Sequence, residues 1–279
     1  MPPKTILFSI LLFLLFIILY SPIFPGLYHL WIEDSNNSHG LLVPIISLVL
    51  IWKKRGKINW ENLKSSNIGL FVLGVSLVFY FIGYAGGIGV LPRLTIVSTL
   101  IGLVIFNLGL NIFSRLAFPL LFLFFMVPVP VSIVLLVSFP LQLIATKISA
   151  FIISDLLSIP VFMEGNMLYF ANASLEVAEA CSGIRSLVAY LMLGFLFAYL
   201  MNGSIKRRSI LVLSTVPLAF FANLMRVTVT GILAHFFGSK VARGFLHEFS
   251  GMAIFAFGFI ILFVLYYVLE STRKAKAGE

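Results

Sequence analysis

Cysteine is nearly missing from this chain: there is one in 279 residues, Cys181. That excludes an internal disulfide framework and any metal site built on several thiolates. Charge is scarce too, since Asp, Glu, Lys and Arg make up 10% of the residues, and acids are the scarcer sign, ten against nineteen bases. With 61% hydrophobic residues and a mean hydropathy of +1.11, such a chain cannot cover itself with a water-facing surface. A soluble globule is excluded and an integral membrane protein is implied.

Apolar runs at residues 6–20, 41–52, 68–84, 94–110, 116–127, 187–201, 210–233 and 252–269 predict an all-α polytopic membrane protein. They give about eight transmembrane helices in a single integral membrane domain, residues 1–279. No small-x-small cleavage site follows the first run, so it reads as an uncleaved span. Residues 131–159 are long enough to cross but carry Ser132, Ser138, Pro140, Gln142, Thr146, Lys147, Ser149 and Asp155. They read as a surface-lying or re-entrant helical piece.

Charge placement supports that count. With the amino terminus cytoplasmic, eight spans leave 13 of the 19 basic residues inside, among them Lys53, Lys54, Arg55, Lys206, Arg207 and Arg208. The inner face is strongly positive and the outer face nearly neutral, as the positive-inside rule requires. A ninth crossing at 131–159 would move the trio Lys206 to Arg208 outside. The net +9 thus reports topology and calls for no nucleic-acid partner. Both termini are expected in the cytoplasm of a cytoplasmic (inner) membrane protein, with His29, His39, Cys181, His235 and His247 on the outer face.

The largest outer segment runs over residues 161–180. Turn-like Glu164-Gly165-Asn166 and Ala171-Asn172-Ala173 bound short strands at 167–170 and 174–178, a hairpin delivered directly into Cys181. Cys181 therefore stands where an extramembrane element enters a helix, and the free N–H groups of a helix start favour the thiolate, the nucleophilic form.

The run 210–233 is apolar except for Asn223, Arg226, Thr228 and Thr230, and spacings of three and four put Asn223, Arg226 and Thr230 on one face. Arginine inside a span costs about 2.5 to 3.5 kcal/mol even on lenient insertion scales, which makes it a functional-site candidate. Arg226 lies some sixteen residues, about 24 Å, from the cytoplasmic start of its run, in the outer part of a ~30 Å core. In Gly244-Phe245-Leu246-His247-Glu248-Phe249-Ser250-Gly251 the His-Glu pair suggests zinc, but the His-Glu-x-x-His pattern requires histidine where Gly251 stands. No metal and no cofactor are expected. His235 and His247 both qualify as the titratable partner on spacing alone.

Three strings, Val177-Ala178-Glu179-Ala180-Cys181-Ser182-Gly183-Ile184-Arg185-Ser186-Leu187, Asn223-Leu224-Met225-Arg226-Val227 and His247-Glu248-Phe249-Ser250-Gly251, resemble the motifs of the exosortase and archaeosortase family. The early Ser38-His39-Gly40-Leu41-Leu42-Val43-Pro44 is similar to that family's first motif. The resemblance spans most of the chain in the family's order. It implies a membrane cysteine protease or transpeptidase acting on membrane-anchored proteins with a carboxy-terminal sorting signal: a Pro-Glu-Pro-type motif, one transmembrane helix and a basic tail. The family's cysteine, arginine and histidine carry over to Cys181, Arg226 and His247, which selects His247 over His235. Glu179, Ser182, Gly183, Arg185, Asn223, Glu248 and His39 are the expected supporting or substrate-binding residues. The chain ends soon after its last span, whereas some relatives carry a further soluble domain.

Two other classes fit parts of the pattern: a transporter or flippase holding an anionic head group on Arg226, and a non-catalytic assembly factor. Transport would need polar residues through several spans, and these are almost wholly apolar. In a Cys181→Ser background, Ser174→Cys should react with an impermeant maleimide from outside the cell, and Ser204→Cys only after permeabilisation. Labelling of Ser174→Cys only from the cytoplasm would overturn the eight-span topology.

Overall fold

The computed structural model describes the backbone of residues 3–34, 36–57, 64–177, 184–243 and 245–277, and side chains at 7–34, 36–56, 64–177, 185–238 and 251–271. Two compact units follow one another along the chain, Met1–Pro130 and Val131–Glu279.

The first unit is helical: α1 (Pro3–Tyr20), α2 (Phe24–Glu33), α3 (Leu42–Lys54), α4 (Asn67–Ala85), α5 (Val90–Leu108) and α6 (Leu110–Phe122). The chain bends by 65° between α1 and α2, at Ser21-Pro22. Because lipid tails give helices no hydrophobic reason to associate, buried hydrogen bonds between them matter. Tyr20 and Thr99 hydroxyls meet at 2.8 Å, Tyr80 donates to Leu19 O at 2.9 Å, and Trp31 Nε1 donates to Met126 O at 2.9 Å. Pro119 lies inside α6 and has no N–H to offer Arg115 O, one turn back. The ammonium of Lys54 supplies the donor instead, at 2.6 Å.

The second unit comprises α7 (Val131–Phe151), which runs on through a π-helical turn Ile152–Leu156, then strands β1 (Phe162–Glu164), β2 (Met167–Phe170) and β3 (Ala173–Glu176), and helices α8 (Ile184–Leu200), α9 (Ile205–Arg243) and α10 (Phe245–Ala277). The expected hairpin is present as β2 and β3, paired Leu168 to Leu175 and Phe170 to Ala173. β1 is an addition, joined to β2 by a two-residue turn in which Gly165 takes φ 58°, a conformation that favours glycine. The sheet's buried Leu168, Phe170 and Leu175 pack with Val177, Ile153 of the π-turn and Val227 and Ala234 of α9.

Side-chain pairings give the helix directions. Ser149 meets Thr228 and Ile153 meets Gly231, so α7 and α9 run the same way. Tyr190 packs on Phe255, Phe197 on Phe263, and Asn202 N donates to Glu270 Oε2, so α8 and α10 also run together; Gly194 lies against Thr215 and Arg208 donates to Met201 O, so both run opposite to α9. The sheet and the starts of α8 and α10 therefore share one end of the unit. The α8–α9 connection, with Lys206, Arg207 and Arg208 just after it, is at the other.

Among the described residues five helices are long and apolar enough to cross a membrane: Asn67–Ala85, Val90–Leu108, Val131–Leu156, Ile205–Gly238 and Gly251–Ser271. The bent pair Leu7–Tyr20 and Phe24–Glu33 makes a sixth if it is one span. The chain is thus a polytopic helical membrane protein, with five to six candidate spans in place of the eight expected. At 1.5 Å per residue the 13-residue α3 and α6 fall short of a ~30 Å core, and the 17-residue α8, which joins the parallel α7 and α9, stands at the lower limit for crossing.

The reading of residues 131–159 as surface-lying or re-entrant is also revised, because α7 is one continuous helix that meets the length and hydropathy of a span. Four of the polar residues that suggest a surface helix fall on one face of it. Ser138, Gln142, Thr146 and Ser149, spaced four, four and three apart, are all buried, while Leu136, Phe139 and Phe151 face outward. Thr146 donates to Gln142 O at 2.8 Å and Thr228 to Ser149 Oγ at 3.0 Å, so part of this stripe is satisfied within the protein.

Close approach of α8 to α10 rests on Gly258. A Cβ there would stand 2.1 Å from the Tyr190 hydroxyl, which donates to Phe255 O at 3.0 Å. Gly258→Ala should therefore push Tyr190 off this contact and cost about 1 to 3 kcal/mol, seen as a lower Tm in detergent. An unchanged Tm would mean that α8 and α10 slide apart at no cost.

Candidate active site

Three helices of the second unit carry the sequence motifs. α8 begins at Ile184, three residues past Cys181. α9 carries Asn223, Arg226 and Thr230, and the start of α10 carries His247 and Glu248. Glu179, Cys181, Ser182 and Gly183 lie outside the described residues, as do the side chains of His247 and Glu248. Arg185 stands exposed in the first turn of α8. His39 lies in the first unit, half-buried in a short 3-10 helix, Ser38–Leu41.

The central contact is between Arg226 and Gly251. A Cβ on Gly251 would stand 3.2 Å from Arg226 Nη2, 3.3 Å from Cζ and 3.4 Å from Nε, so the guanidinium lies against the backbone of α10 where α10 has no side chain. His247 is four residues before Gly251, one turn away on the same helix face. α9 and α10 are antiparallel, so moving toward the sheet end along α9 from Arg226 to Thr230 matches moving back along α10 from Gly251 to His247. Asn223 and Thr230 are both buried. The Thr230 hydroxyl has no hydrogen-bond partner among the described residues. Sequence reading assigned Gly251 only a negative meaning, as the residue that breaks a zinc motif. Its spacing of four from His247 was the available signal for a shared face.

The two histidine candidates are separated by the fold. His235 lies nine residues beyond Arg226, two and a half turns, and so on the opposite face of α9. There its ring is 5.9 Å from Phe170 of β2, on the sheet side. Gly238, at φ 80° and ψ 165°, breaks the helix soon after. Arg226 faces α10, the helix of His247, and His235 faces the sheet.

On charge, the half-buried arginine beside a helix backbone can hold a developing anion with a planar fork of donors. Among the described residues no group of three or more His, Cys, Asp and Glu side chains could hold a metal ion.

Fold and site define a multi-pass helical membrane protein with an arginine seated between two helices of a bundle that carries a small three-stranded sheet at one end. The transmembrane exosortase family model (Exosortase_EpsH) matches residues 31–264, and the chain belongs to this family. That span includes the early His39 motif and the three motifs of the second unit. Membership points to a role in processing sorting signals. Neither the curated proteins nor the solved structures gave a match.

His235→Ala should cost about 0.5 to 1.5 kcal/mol of stability through the lost ring contact with Phe170, measured as a lower Tm, and leave Arg226 in place. A histidine on the sheet side whose removal left Tm untouched while abolishing function would return His235 to the site.

Proposed function

We propose that this chain is a membrane cysteine peptidase or transpeptidase that cleaves carboxy-terminal sorting signals through a thioester on Cys181. The observation that carries the reading is the seating of Arg226 on Gly251, one helical turn from His247, in a unit where the α8 start following Cys181 and the α10 start bearing His247 share one end. Family membership supports it, because the matched region holds all three motifs.

A sorting-signal helix enters the bilayer beside the protein with its basic tail inside, and the bond to be cut emerges at the sheet end. The basic residues Lys206, Arg207 and Arg208 lie at the opposite end, and by the positive-inside rule this supports a sheet end outside the cell. His247 takes the proton of the Cys181 thiol, and the thiolate attacks the carbonyl carbon of the scissile amide. Arg226 donates to the oxyanion of the tetrahedral intermediate, a role worth about 2.7 to 4 kcal/mol in comparable sites. The imidazolium returns its proton to the leaving amine as the C–N bond breaks. Water or an acceptor amine then attacks the thioester and releases the thiol. Glu179, Ser182, Gly183, Arg185, Asn223, Glu248 and His39 are supporting or substrate-binding residues in this reading.

The transport alternative would use the polar face of α7 as a lining. Ser138, Gln142, Thr146 and Ser149 are buried; Thr146 bonds back to Gln142 O in its own helix, and Ser149 accepts from Thr228 of α9, polar glue between membrane helices.

The test is single-turnover acylation in detergent with a synthetic peptide bearing a Pro-Glu-Pro motif, an apolar helix and a basic tail. Cys181→Ala should abolish acylation while the protein still accumulates in the membrane. His247→Ala should slow it by about 100-fold or more, and His235→Ala by less than about threefold. Acylation retained by Cys181→Ala overturns the reading. A dead His235→Ala beside an active His247→Ala reassigns the base.

A further inference from the structure

Arg226 is carried on α9, and its guanidinium lies in the gap that α10 leaves at Gly251. The separations of 3.2 to 3.4 Å are tighter than a side-chain carbon ordinarily tolerates, and the atoms facing that carbon are the three at the end of a long side chain. Alanine at this position would therefore not break the helix pair. It would move the guanidinium by a few tenths of an ångström or turn it. The geometry points to Gly251 as a positioning residue: by lacking a side chain it seats the Arg226 guanidinium on α10, one turn from His247, and so sets the orientation in which Arg226 meets the substrate. This rests on the proposed peptidase reading for its functional half. The seat itself is a matter of packing.

The physical case runs through three features. An arginine in an apolar span must place a planar, always-charged group somewhere, and α10 offers backbone at this level with no side chain in the way. Gly251 is not needed for helix geometry, since it lies inside α10. Glycine there costs helix stability relative to alanine. The position consequently carries a residue that weakens its own helix and makes room for Arg226. Finally, groups that act on a reacting carbonyl lose rate steeply when misplaced, so a small displacement has a kinetic cost out of proportion to its size.

The test is a double-mutant cycle with the purified full chain and the same synthetic peptide. Gly251→Ala should lower kcat by about tenfold, leave KM within twofold, and hold or raise Tm because alanine favours the helix. Lysine at 226 has no planar fork for the new methyl group to displace. In an Arg226→Lys chain, adding Gly251→Ala should therefore change kcat by less than twofold. A Gly251→Ala chain with wild-type kcat, or an equal tenfold loss in both backgrounds, overturns the inference. If the wild-type chain does not acylate the peptide, the peptidase reading falls, and the same cycle read in Tm decides the seat. Non-additive shifts for Gly251→Ala and Arg226→Lys support it, and additive shifts overturn it.

Discussion

An arginine in an apolar helix is the constraint around which the second unit is organised. Desolvating a planar guanidinium in an apolar span is unfavourable, so the fold must give it a defined surface. It does so with a glycine on the neighbouring helix. The contact needs α9 and α10 antiparallel and in one register; α8 braces both, meeting α10 through Tyr190 on Phe255 and Gly258, Phe197 on Phe263 and Asn202 with Glu270, and meeting α9 where Gly194 lies against Thr215.

The same economy of space governs the rest of the helix packing. In lipid there is little hydrophobic gain from bringing helices together, so close contact comes from small residues and from hydroxyls that find partners across an interface. In the buried α7 stripe of Ser138, Gln142, Thr146 and Ser149, Ser149 finds such a partner in Thr228 of α9, and Thr146 bonds within its own helix. Polar atoms that would exclude the segment from lipid if they pointed outward are turned inward, leaving Leu136, Phe139 and Phe151 on the exposed face.

Directionality then gives the unit two unlike ends. α7 and α9 run toward the sheet and α8 and α10 run away from it, so the starts of α8 and α10, distant in sequence, are gathered at the sheet end, and the trio Lys206, Arg207 and Arg208 lies at the other. The proposed peptidase reading uses this separation of the site from the trio. The sheet, packed on α9 through Leu168, Phe170 and Leu175, ties the segment that leads toward Cys181 to the helix that carries Arg226.

Composition determined the membrane class, because no arrangement of 61% hydrophobic residues yields a water-facing surface. The motif strings fixed the family, and the β2–β3 hairpin was legible from its turn residues. The polar face of Asn223, Arg226 and Thr230 followed from spacing alone, since three and four residues bring side chains to one side of any helix. The number of spans was not legible: hydropathy marks where a chain is apolar, and helix length and bends decide what crosses. The summed polarity of residues 131–159 misled for a related reason, because a sum over residues carries no face. His235 and His247 could not be separated by spacing. Only the packing of α9 between the sheet and α10 set them on opposite sides, and only the approach of Arg226 to α10 gave Gly251 a meaning. Those relations are contacts between distant segments, fixed by which surfaces fit in three dimensions and by nothing local to either string.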